Sequence, residues 1–241
     1  MPFQHTTTSL GPAPAVLVYQ ESPETAARAG TVIFFHGLGA SKETHLEDLE
    51  ALAARGFLAV GLDNLGHGER PPTAEQMGLV ARLGWQGAFL EAIRRTASEV
   101  PAILDALTAR FGARRFGIAG VSMGGYITYA SVLLDRRLTV AAPILGSPFW
   151  EGASDSPHRQ ASLYFPVALL AQNAGQDSTV PPRFARAFHQ ELLPHYAAAP
   201  DRLEYVEYPH SGHFMRPQDF VAVRARAVAW FERFLGESTG R

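Results

Sequence analysis

The chain has no cysteine, which excludes disulfides, thiolate metal sites and a cysteine nucleophile. Lysine is almost missing too: Lys42 is the only one among 21 basic residues. Such a bias toward arginine reads as codon usage rather than as an arginine-dependent function. Neither charge predominates, and a net charge of −2 leaves no basic field for nucleic acid or an anionic membrane face. Long apolar runs are also lacking, none approaching the roughly 18 residues of a membrane span. Met1 to Leu10 has neither the basic nor the apolar region of a signal peptide, so a cytoplasmic location is expected. The nine histidines form no H-E-x-x-H or comparable set, so no metal is expected.

What is present is a chain of 241 residues, 46% hydrophobic, enough for one large core and a single α/β domain over residues 1–241. Strands are expected at Ala15–Tyr19 and Thr31–Phe35, with a polar turn between them, and the unbroken apolar run of the second suits a strand covered on both faces. Ser41 is a candidate cap for a helix to about Arg55, followed by a strand over Phe57–Leu62. Apolar residues from Gly87 to Arg110 recur at helical spacing, with Pro101 as a kink. Further strands are expected at Phe116–Ala119, Thr139–Leu145, Phe165–Gln172 and Leu203–Tyr208. Helices are expected at Met123–Leu134, after Pro181-Pro182, and over Phe220–Phe234. This alternation argues for a mainly parallel sheet with helices on both faces. The polar stretch of about residues 146–164 leaves room for only a small lid.

Gly120-Val121-Ser122-Met123-Gly124 fits the G-x-S-x-G nucleophile elbow in its proper setting, between an apolar strand and a helix. Glycines flank the serine because larger side chains would collide where strand and helix meet. A serine hydroxyl needs a histidine to take its proton and a carboxylate to orient that histidine. Asp177, in Asp177-Ser178-Thr179-Val180-Pro181, and His213, in His210-Ser211-Gly212-His213-Phe214, both follow late strands. Glu151, Asp155 and Asp201 are alternative acids, and His210 is an alternative base.

These motifs, from Thr31 to His213, resemble the α/β-hydrolase superfamily, whose order of nucleophile, acid and base is Ser122, Asp177, His213. His36-Gly37-Leu38-Gly39 resembles the family's HG-x-G oxyanion loop, and Asp63-Asn64-Leu65-Gly66-His67-Gly68 its D-x-x-G-H-G turn. The resemblance implies an α/β-hydrolase fold, a mostly parallel sheet of about eight strands with one antiparallel near the start. It also implies an oxyanion hole from the N–H groups of Leu38 and Met123, structural roles for His36, Asp63 and His67, and no cofactor. Ser41-Lys42-Glu43-Thr44, Gly68-Glu69-Arg70 and the short lid look most like small bacterial esterases near the dienelactone-hydrolase and prolyl-oligopeptidase branches. The expected activity is cleavage of small carboxylic esters or thioesters. An aminoacyl peptidase, a cofactor-free perhydrolase and a non-catalytic binding protein are the other readings. Trp150, Trp85, Phe149 and Phe214 are candidate walls for a small-molecule ester, with Leu38, Phe89, Tyr164 and Met215 also available; Trp150 stands out because burial in the main core is harder in its polar segment.

Overall fold

Unbroken apolar runs form the middle of the sheet. In the computed structural model, which describes residues 2–236, β3 (Thr31–Phe35), β4 (Leu58–Leu62), β5 (Phe116–Val121) and β7 (Ala168–Ala174) are buried at every position. Such strands need cover on both faces, as parallel sheets provide. With β1 (Gln4–Leu10), β2 (Ala13–Tyr19), β6 (Leu138–Ile144) and β8 (Leu203–Tyr208) they make one eight-stranded sheet, ordered β1-β2-β4-β3-β5-β6-β7-β8. β2 runs antiparallel to both β1 and β4, and every other neighbouring pair is parallel.

Successive residues of β3 show how the layers close. Ile33 and Phe35 face one core with residues of α1 (Pro23–Ala29), α3 (Ala74–Ser98), α4 (Val100–Phe111), α5 (Met123–Leu134) and α6 (Arg183–Leu192). Val32 and Phe34 face the other, against α2 (Leu46–Ala53) and α7 (Pro217–Leu235). Burying a side chain such as Phe35, which is 0% exposed, contributes about 1.5–3 kcal/mol.

Several expected elements shift. Gln4–Leu10 is a strand, and its polar, exposed face explains why it lacks an apolar signal. The supposed turn before β3 holds α1, capped by Ser22, whose hydroxyl accepts from Thr25 N. Ser41 does not cap α2; it opens a turn in which Thr44 N bonds Ser41 O, and the helix starts at Leu46. The long helix begins at Ala74 rather than Gly87, because Thr73 and Gln76 form a reciprocal capping box. Gly84, at φ 70°, bends it, and a second break at Glu99 lets Pro101 sit in the first turn of α4. The strand expected from Phe165 begins at Ala168.

Candidate active site

The site forms at the carboxyl ends of β3, β5, β7 and β8, where parallel sheets of this kind place their ligand sites. Ser122 joins β5 to α5 with φ 55° and ψ −114°, backbone angles a non-glycine residue rarely adopts. Two bonds hold it there: Ser122 N donates to Ile144 O at 2.8 Å, and Tyr126 N to Ser122 O at 3.1 Å. The flanking glycines are dictated by contact. A Cβ on Gly124 would lie 2.0 Å from Phe35 O, and one on Gly120 would lie 2.5 Å from the Gly124 backbone.

Ser122 Oγ stands 3.0 Å from His213 Nε2, and His213 Nδ1 stands 2.7 Å from Asp177 Oδ2. Asp177 is fully covered, its other oxygen accepting from Thr179 N and Val180 N at 2.8 Å each. The turns bearing Asp177 and His213 are tied together by Gln176 N donating to Ser211 O at 2.9 Å. The carboxylate therefore keeps Nδ1 protonated and leaves Nε2 free to accept from the serine. His210 is exposed in the same loop, while Asp155 pairs with Arg94 and Asp201 with Arg233. Glu151 is exposed.

The segment after β3 passes over the serine, where a Cβ on Gly37 would lie 3.7 Å from Ser122 Cβ. Leu38 follows on this loop, and Met123 opens α5, so its N–H has no acceptor within the helix. His36 is buried beneath the loop, accepting from Asn64 N at 3.1 Å, and burial pushes its pKa down to about 4. Asp63, 0% exposed, accepts from Lys42 N, Lys42 Nζ and Glu69 N. Burial opposes the Lys42 charge, but Glu43, Glu69 and Asp63 outweigh it and hold its pKa above the ordinary lysine value. His67 bonds Leu65 O at 3.0 Å, within the same turn. These groups brace the loop that carries Leu38.

Ser122 opens into a cleft of about 830 Å³. Trp85, Phe149, Trp150 and Phe214 all line it, in contrasting ways: Phe214 is 96% and Trp85 65% exposed, whereas Trp150 is only 3% exposed. Burial of Trp150 runs against its expected position in an open polar segment. Ser156 folds that segment inward, accepting from Trp150 N at 2.7 Å and donating to Pro148 O, and Arg94 covers the indole at 5.4 Å. Tyr164 is not a wall at all; it is buried in the core with its hydroxyl on Tyr129 O. Besides the stretch 146–164, α3 builds part of the cleft through Trp85, Gln86 and Phe89. Tyr126, His45, Gln86 and Phe220 line the cleft in addition to the expected residues. Only Tyr126 carried a signal, one helical turn beyond Ser122; burial pushes its hydroxyl pKa up to about 12, keeping it a donor.

No Asp, Glu, Lys or Arg lines the cleft among the described residues, and no group of His, Asp or Glu there is arranged to hold a metal. No helix among them is long and apolar enough to cross a membrane.

The sheet order, the elbow at Ser122 and the loops above it make this chain an α/β-hydrolase. Within that class it belongs to the family described as serine aminopeptidase, S33 (Hydrolase_4), whose model matches residues 26–204. It is 25% identical over 236 residues to a Bacillus subtilis (strain 168) protein named "Putative esterase YitV", covering 85% of this chain and 89% of that one. Solved structures that share the fold include the following two. TT1662 from Thermus thermophilus covers 100% of both chains at TM-score 0.79 and 22% identity. A "Putative Dienelactone Hydrolase" from Klebsiella pneumoniae covers 97% of this chain and 100% of its own at TM-score 0.74 and 20% identity.

Proposed function

We propose that this hydrolase cleaves small, neutral carboxylic esters or thioesters through an acyl-enzyme on Ser122. The hydrogen-bonded line Ser122–His213–Asp177, ending in an uncharged cleft, carries this reading. As Ser122 Oγ attacks the carbonyl carbon, its proton passes to His213 Nε2, and the Leu38 and Met123 N–H groups meet the oxyanion. Asp177 fixes the imidazole and stabilises its positive charge. The tetrahedral intermediate collapses, the C–O or C–S bond breaks, and the proton moves from His213 to the leaving group. Water, deprotonated by His213, then releases the acid by the same steps in reverse. No cofactor takes part.

The family description favours a second reading, an aminopeptidase. Recognition of a free peptide N-terminus calls for a carboxylate near the scissile bond, since a buried ammonium needs a partner. The cleft offers none among its described lining residues, which supports the ester. Its size, within the roughly 300–1,000 Å³ of small-molecule sites, suits modest acyl groups flanked by aromatic walls.

The test is labelling by a fluorophosphonate, followed by a panel of esters, thioesters and aminoacyl amides with Ser122→Ala as the blank. Label on the wild type alone, with esters turned over faster than aminoacyl amides, is the expected result. A folded wild type that takes no label sinks the reading.

A further inference from the structure

A second histidine–carboxylate pair, whose histidine lines the same cleft, plays no part in the chemistry above. His45 lines the cleft with its side chain 13% exposed, and its Nδ1 stands 2.9 Å from Asp48 Oδ2. Asp48 accepts from Arg224 Nε at 2.7 Å through its other oxygen, and Arg224 reaches on to Glu47 at 2.8 Å. The imidazole also neighbours two rings, Phe34 tilted at 5.0 Å and Phe220 stacked at 6.3 Å and 27°. A carboxylate only accepts, so Nδ1 carries the proton and Nε2 is the nitrogen left over. No hydrogen bond to Nε2 is found among the described residues, and it is not one of the buried polar atoms without a partner, so it keeps some exposure to solvent.

His45 follows the Gly37–Thr44 loop and stacks on Phe220, a few residues beyond His213, Phe214 and Met215, all of which line the cleft. His213, the group that hands a proton to the leaving alcohol in the mechanism above, lines the same cleft. We infer that His45 is a specificity-determining residue that binds a hydroxyl on the alcohol portion of the substrate through Nε2. The inference rests on the ester-hydrolase reading for its leaving group, though not for the binding itself. A hydroxyl fits because it donates to Nε2 when His45 is singly protonated and accepts from it when doubly protonated. In a cleft with many apolar and aromatic walls, such a fixed polar group helps set orientation.

The probes are the 2-hydroxyethyl and propyl esters of phenylacetic acid, which match in size and differ in one hydroxyl. Binding to Ser122→Ala is followed by tryptophan fluorescence, since Trp85 and Trp150 line the cleft. An apolar cleft alone favours the propyl ester. With His45 in the role given, the hydroxyethyl ester binds more tightly, by about tenfold for one neutral hydrogen bond. Adding His45→Leu to Ser122→Ala removes or reverses the preference, and adding His45→Gln, which keeps an acceptor and a donor, restores part of it. Equal or weaker binding of the hydroxyethyl ester to Ser122→Ala, or a preference that survives His45→Leu, overturns the inference. Turnover of both esters by the wild type reports on Ser122 separately: no turnover with the binding preference intact overturns the esterase reading and supports the His45 subsite.

Discussion

Asp177 presents one oxygen to His213 Nδ1 at 2.7 Å and gives the other to the Thr179 and Val180 N–H groups at 2.8 Å. The backbone thus sets the carboxylate's orientation before any substrate arrives. Asp177→Asn keeps the shape but offers Nδ1 either an amide N–H or a weaker acceptor, which disturbs the tautomer the serine needs. The expected outcome is a fall in kcat of roughly 10⁴ with the melting temperature little changed. Ester hydrolysis rates beside thermal melts check it, and near-normal turnover would move the acid's role elsewhere.

Gly124 has no room for a side chain, since a Cβ would sit 2.0 Å from Phe35 O. Gly124→Ala must push α5 from β3 and carry Ser122 with it. A loss of about 1–3 kcal/mol or more is expected from overpacking, together with loss of ester turnover. Urea unfolding midpoints and a fluorophosphonate labelling rate measure the two effects.

Lys42 is the ammonium partner of the fully buried Asp63 at 3.2 Å. Lys42→Met leaves that carboxylate with only backbone donors, for an expected loss of about 3–5 kcal/mol. Because the same residues brace the loop bearing Leu38, kcat should fall further than KM rises. A variant as stable as the wild type would show that Asp63 is satisfied without the lysine.

Two buried histidines make the fold acid-sensitive. Burial pushes the pKa values of His36 and His189 down to about 4, against an ordinary 6.5 in the unfolded chain. Between those values the unfolded state binds more protons than the folded one, so stability falls as pH drops from about 6.5 toward 4 and is full above that window. The loss is on the order of 3 kcal/mol for each residue. Urea titrations at pH 7 and pH 4.5 should differ accordingly, and His189→Phe should lessen the difference; an unchanged slope with pH would count against this origin.

The two tryptophans of the cleft separate binding from folding. Trp85 is 65% exposed, so Trp85→Ala should shift stability by less than about 0.5 kcal/mol while raising KM for aromatic esters several-fold. Trp150 is 3% exposed, and Trp150→Ala should cost about 3–5 kcal/mol of stability. Melting curves and ester kinetics on both variants distinguish them.

Much of this was legible in the residues. Apolar runs such as Thr31–Phe35 mark strands covered on both faces, and Gly120-Val121-Ser122-Met123-Gly124 marks the elbow because only glycine fits where β5, α5 and β3 converge. The sequence order of Ser122, Asp177 and His213 likewise pointed to groups that chain folding brings within hydrogen-bond reach. Local polarity misled where tertiary contacts override it. Gln4–Leu10 becomes a strand by pairing with β2, and Trp150 is buried because Ser156 and Arg94 close a polar segment over it. The composition of the cleft was legible in part: Trp85, Phe149, Trp150 and Phe214 line it as expected, whereas His45, Gln86 and Phe220 join it from segments whose local pattern gives no sign of a shared cavity. Sequence alone therefore determined the fold class and the chemical groups, which depend on local pattern and spacing. Tertiary structure decided the cleft, free of Asp, Glu, Lys and Arg among the described residues, and the place of His45 in its wall, because side chains distant in the chain become neighbours only when the sheet and its helices pack.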